Sequence, residues 1–195
     1  MNPLVAELRR TAVWPLTFLG FPPGGLVAKL TVGSVDSTLD ATLGGMLAGG
    51  VLGGVQWLAL RRIAGIPARW VALTSGGMAI GLSIGATAVG FRTDTPSLML
   101  QGLATGAGVG LAQAAVVSPV AWKRAVWLLA NLVLWPVGWA VTARAGVDVE
   151  AQYTNFGAAG AVVFALATWL VLASLRVSKG AAAPAPSGRG ANDGR

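Results

Sequence analysis

Six stretches of the chain run for about the length of a bilayer crossing without an interior charge, separated by short segments that hold most of the charged residues. Spanning about 30 Å of hydrocarbon takes about 20 helical residues. The stretches are Thr11–Gly33 (with Lys29 near its far end), Ala41–Leu60, Trp70–Gly90, Ser97–Val120, Ala125–Ala143 and Phe156–Leu175. None alternates polar and apolar residues strictly, as a lipid-facing β-barrel strand would. The pattern therefore predicts an all-α, polytopic membrane helix bundle of about six transmembrane helices. Residues 1–10 form a cytoplasmic amino-terminal segment in this reading, 11–176 the membrane domain, and 177–195 a disordered cytoplasmic tail. The tail sequence SKGAAAPAPSGRGANDGR is small, polar and proline-rich, with nothing to bury.

Basic residues orient the bundle. With the amino terminus inside, Arg9, Arg10, Arg61, Arg62, Arg69, Lys123, Arg124, Arg176, Lys179, Arg189 and Arg195 fall on the cytoplasmic side. Only Lys29, Arg92 and Arg144 fall outside, together with Asp36, Asp40, Asp94, Asp148 and Glu150. Such a bias over short loops is the positive-inside pattern, and it places both termini in the cytoplasm. Arg9-Arg10 ahead of an apolar stretch resembles a signal peptide. The run continues past Pro22-Pro23-Gly24-Gly25 without an Ala-x-Ala site, so the segment is expected to be retained.

Sliding the sequence by 57 residues lays the second and third stretches over the fourth and fifth. Gly45, Gly49, Gly53 and Gln56 meet Gly102, Gly106, Gly110 and Gln113, and Trp70 and Gly81 meet Trp127 and Gly138. The copies, about 41–90 and 98–147, would share one orientation, as in a parallel repeat of a helical hairpin. The interval from Trp14 to Gly25 equals that from Trp70 to Gly81, which makes the first stretch a candidate further copy of the second half-unit. Glycines four apart on a helix allow close backbone approach, the main source of helix association in lipid. Gly77, Gly81 and Gly85 draw a third such face. Packing is the expected use of these faces, with a path lined by bare backbone as the competing one.

Gln56, Gln113, Asn131 and Thr74 fall at similar depth, in the inner half of the spans, and form a candidate polar layer. Amides in hydrocarbon need partners. They serve either as interhelical hydrogen-bonding groups or as a site for a polar solute or lipid headgroup. Pro22-Pro23 cannot continue a helix, so the first span is expected to break there. Trp135-Pro136 marks a second expected kink.

Composition agrees with the bilayer as solvent. Hydrophobic residues make up 54% of the 195 and charged residues only 11%, where a soluble domain carries roughly 25%. With no Cys and no His, disulfides, thiolate or imidazole catalysis and Cys/His metal sites are excluded. Neither catalytic nor cofactor residues are expected. The five outer carboxylates could collect a divalent cation or simply pair and be solvated. The net charge of +7 is spread between spans as topology signals are, not along one face as nucleic-acid binding requires.

The segment from Gly49 to Arg62 carries Gly49, Gly53, Gln56, Trp57, Leu60 and Arg61 in the order G-x-x-x-G-x-x-Q-W-x-x-L-R. It resembles a group of small bacterial, actinobacterial-type multi-pass membrane proteins. The loops Gly90–Asp94 and Gly146–Glu150 are also similar. The second copy departs from the motif, with Ala114 at the tryptophan place and Ser118 at the arginine place. The resemblance implies a bacterial cytoplasmic membrane protein and transfers no catalytic residue. The expected function is a non-enzymatic structural or accessory component, in contact with membrane lipids and with a second copy or a membrane-protein partner. A small transporter or channel using the polar layer is the alternative.

Overall fold

A computed structural model describes residues 1–147 and 155–177 of the chain. The regular structure is helical: α1 (Pro3–Arg10), a 3₁₀ helix (Trp14–Gly20), α2 (Phe21–Val32), α3 (Thr38–Leu60), α4 (Arg69–Ala88), α5 (Thr95–Val117), α6 (Ala121–Arg144) and α7 (Ala158–Val177). Helices α3 to α7 hold 20 to 24 residues each, and all five are long and apolar enough to cross a membrane. The protein is thus a multi-pass membrane protein by the length and composition of its helices. The tail after Val177, and Asp148 and Glu150 of the outer acidic set, lie outside the described residues.

Local chemistry fixes several ends. Ser37 Oγ accepts from the Asp40 amide at 3.2 Å to start α3, and Asp94 Oδ1 accepts from the Ser97 amide at 3.0 Å to start α5. The two caps are the same pair in exchanged order, Ser-x-x-Asp and Asp-x-x-Ser, 57 residues apart. Helix α2 stops at Gly33, whose φ of 77° suits glycine alone among unstrained residues.

The first span departs from expectation. Its prolines do not interrupt a helix; they occupy the first turn of α2, where an amide donor has no intrahelical partner to lose. The discontinuity falls earlier, as a seven-residue 3₁₀ helix running directly into α2. Together the two pieces rise about 32 Å, enough to match the other spans. Residues 3–10 form a short helix where only a segment was expected. At Trp135-Pro136, α6 continues unbroken as helix. It also starts four residues before the expected Ala125, taking Lys123 and Arg124 into its first turn.

The spans close into a ring in chain order. Each of α2 to α7 packs on its neighbours, and α7 returns to the 3₁₀ helix and, slightly, to α2. Phe21, Leu52, Met78, Val109, Trp135 and Phe164, one from each ring member, meet in one buried cluster. The glycine faces form successive contacts of this ring. A Cβ on Gly45 would lie 2.8 Å from the Met78 carbonyl of α4, and those on Gly49 and Gly53 would meet Ser75 and Thr74. Gly77, Gly81 and Gly85 face α5 in the same manner, Gly81 with only 2.6 Å to the Ala104 carbonyl. Gly102, Gly106 and Gly110 face Trp139, Asn131 and Leu128 of α6. Removing the side chain lets two backbones share dispersion contacts at a distance no other residue permits.

Candidate functional site

The polar layer is built from side chains that face the ring axis from α3, α4, α5 and α6. Gln56, Thr74, Gln113 and Asn131 are all buried. Gln113 joins its own hairpin to the preceding one: its Nε2 donates to Thr74 Oγ1 at 2.9 Å and to Gln56 Oε1 at 3.2 Å. Thr74 in turn donates to the Trp70 carbonyl at 2.8 Å. Three of the four expected residues are therefore brought together. Asn131 bonds within α6, donating to the Trp127 carbonyl at 2.9 Å and accepting from the Trp135 indole at 3.3 Å.

Sequence reasoning missed the partners that complete this layer. The Trp70 indole donates to Gln56 Oε1 at 3.0 Å, and the Trp127 indole donates to Gln113 Oε1 at 3.1 Å. The bonds are equivalent under the 57-residue shift, each linking a glutamine to a tryptophan fourteen positions later. A third bond has the same form: the Trp14 indole donates to Thr168 Oγ1 at 3.0 Å. Thr168 belongs to α7 and Trp14 to the start of the first span, so this bond joins the two ends of the chain. The three indoles crowd together, Trp127 lying 6.3 Å from Trp14 and 6.2 Å from Trp70 between ring centroids. All three are buried. A sequence signal for the third bond exists: Gly157, Ala161, Ala165 and Thr168 repeat the spacing of Gly102, Gly106, Gly110 and Gln113, with two glycines replaced by alanine.

At the other end of the ring the closure is looser. An open cavity of about 470 Å³ lies between α2 and the start of α7, walled by Pro22, Leu26, Leu30 and Phe156, with Lys29 and Asn155 among its lining residues. Asn155 Nδ2 donates to the Phe21 carbonyl at 3.0 Å.

Among the described residues, no group of three His, Cys, Asp or Glu is placed to hold a metal ion. Asp94 accepts from Ser97 Oγ at 2.7 Å and lies 3.7 Å from Arg92, while Asp40 accepts from Ser37 Oγ at 2.6 Å. The Ser97 hydroxyl and amide, with Arg92 adding less, hold the Asp94 carboxyl below its ordinary value.

At the end opposite these caps, charged groups tie four segments together. Arg176 Nε donates to Glu7 at 2.9 Å, and its Nη2 reaches the Ile63 carbonyl at 3.4 Å. This places α1, the loop after α3 and the end of α7 on one side, with Lys123 at the start of α6 bonded to the Leu175 carbonyl.

No family model, curated protein or solved structure matches this chain.

Proposed function

We propose that this protein is a non-enzymatic structural or accessory component of the bacterial cytoplasmic membrane, spanning it six times with both termini inside and packing with a second copy or a membrane-protein partner. The observation that carries the reading is the state of the polar layer. Its carbonyl oxygens accept from indoles or another amide, and the donors of Thr74, Gln113 and Asn131 reach hydroxyl, amide or carbonyl oxygens of the ring itself. Binding a solute there would require breaking interhelical bonds worth about 0.6–2 kcal/mol each in lipid. Aromatic side chains also occupy the centre of the ring at this level. A transporter built on the same layer would need a path between them.

The architecture also reads as three copies of one helical hairpin: α3 with α4, α5 with α6, and α7 with the first span. The repeated glutamine-or-threonine to tryptophan bond supports this, and so does the matching glycine register of the first two copies. The third copy would be assembled from the two ends of the chain. The meeting of α1, residues 61–64 and the end of α7 on one side is consistent with both termini sharing a compartment.

The test is purification from membranes in a mild detergent, followed by identification of what stays bound. A stable homo-oligomer or a stoichiometric membrane-protein partner is expected. A strict monomer with nothing bound would count against the proposal. Solute flux in proteoliposomes that disappears in a Gln56→Ala, Gln113→Ala double variant would replace it with the transporter reading.

A further inference from the structure

Lys123 is the one charged residue buried among the described residues, and neither the polar layer nor the ring packing explains its burial. It sits in the first turn of α6, where a lysine side chain could easily reach water, yet it is only 3% exposed. Its ammonium donates to the Leu175 carbonyl in the last turn of α7 and lies 5.4 Å from the Trp122 ring centroid. No carboxylate among the described residues pairs with it. A buried cation with three donors and one carbonyl acceptor lacks both a counter-charge and its full set of hydrogen bonds.

The surroundings increase the demand for negative charge. The first turn of α6 holds no acidic residue and no side chain caps it, so Lys123 and Arg124 stand at the positive end of the helix dipole. Arg176 lines the same cavity, and its one acidic partner among the described residues, Glu7, is shared with Arg10. Ser118 lines it too; its oxygen accepts from the Val120 amide at 3.2 Å, which leaves the hydroxyl proton to donate. The cavity is small, about 50 Å³, closed on its apolar side by Ile66 and Leu172. That volume holds about three waters or one tetrahedral oxyanion.

We propose that this cavity binds a phosphate group, with Lys123, Ser118 and Arg176 as its donors. The ionised oxygens of a phosphate accept hydrogen bonds, carry negative charge and diverge tetrahedrally, so one group can meet donors arriving from α6, from the turn before it and from the end of α7. The group is either free phosphate or the headgroup of a phospholipid in the adjoining leaflet; the recognition chemistry is the same. The inference does not depend on the oligomer or partner proposed above.

The test uses the full chain in neutral detergent, with thermal unfolding followed by its own tryptophan emission. One arm adds inorganic phosphate against chloride at constant ionic strength. The other adds phosphatidic acid against diacylglycerol with the same acyl chains. A saturable rise in midpoint of about 4 °C or more is expected with at least one phosphate probe. A rise with inorganic phosphate assigns the free anion, and a rise with phosphatidic acid alone assigns a headgroup. Lys123→Gln and Ser118→Ala should each reduce the shift at least by half. If Lys123→Gln does not fold, Ser118→Ala carries the comparison. No shift with either probe, a shift matched by the chloride or diacylglycerol control, or a full shift in the folded variants overturns the proposal.

Discussion

The α3/α4 and α5/α6 hairpins and the pairing of α7 with the first span solve one problem with different materials. All three end in an indole donating to a polar side chain on the partner element. In the two central hairpins that bond sits above a glycine face pressed on the neighbouring helix. In the terminal pair, alanines stand at two of the face positions, a 3₁₀ helix replaces half of one partner, and α2 barely touches α7. The cavity of about 470 Å³ lies where that contact is weakest. The difference teaches that the hydrogen bond sets register, whereas the glycines set how closely the rest of the pair can follow. Closure with two separate chain ends leaves the least constrained seam of the ring.

Three equivalent glycines can break this comparison most directly. Gly81, Gly138 and Gly25 share one register position but face, respectively, the backbone of α5, the ring of Phe156 and the side-chain amide of Asn155. Backbone cannot move without dragging its helix, while a side-chain tip can rotate away. Gly81→Ala is expected to cost about 3 kcal/mol, Gly138→Ala somewhat less, and Gly25→Ala about 1 kcal/mol or less, in reversible unfolding from detergent micelles. Equal costs at Gly81 and Gly25 would remove the contrast between the seams.

A second test sharpens the role of the indole bonds. Gln113→Leu leaves the Trp127 indole unpaired and takes the amide donor from Gln56 and Thr74. It should destabilise by about 2 kcal/mol, because a buried donor without a partner loses its desolvation energy outright. Thr168→Val, nearly the same shape, strands only the Trp14 indole and should cost about 1 kcal/mol. A double-mutant cycle between Gln56 and Gln113 should return a coupling below about 1.7 kcal/mol, within the range for hydrogen bonds in lipid. If Thr168→Val proves as costly as Gln113→Leu, the terminal bond does more than the central ones and the ordering of the seams reverses.

The smallest effect separates the two caps. Asp94 titrates at the cap itself, whereas the acceptor capping α3 is the Ser37 hydroxyl. Its lowered folded value means that the cap contributes fully above the ordinary carboxylate value of about 3.9 and is lost as pH falls through the folded value below it. The unfolding midpoint of the natural chain should therefore fall more between pH 5 and 3 than that of Asp94→Asn. A parallel decline in both would show that other groups govern acid sensitivity.

Much of the site was legible in the sequence, though its purpose was not. Gln56, Gln113, Asn131 and Thr74 stand out because amides and hydroxyls are scarce within these apolar runs. Depth can be counted from the nearest arginines, since a helix advances a fixed distance per residue. Trp70 and Trp127 stand out as a repeated pair, but their bonds to the glutamines do not, because an indole in a membrane helix usually signals the interface and the chain alone does not show which way it turns. Lys123 reads in the sequence as one more loop charge for a similar reason. Its burial comes from Leu175, Trp122 and the cavity wall, which are brought together only when α7 packs beside α6.

The sequence by itself determined the five long helices, their approximate length and their small-residue faces, because each depends on neighbours within one or two turns and on the solvent those turns must meet. Tertiary structure decided which faces meet, that the prolines open a helix instead of breaking one, and that the chain's two ends complete the ring. The closure of the ring depends on contacts between residues more than 150 positions apart, such as Trp14 with Thr168. A local pattern can mark Thr168 as a candidate but cannot choose its partner, because many partners would satisfy the same indole equally well until the rest of the bundle excludes them.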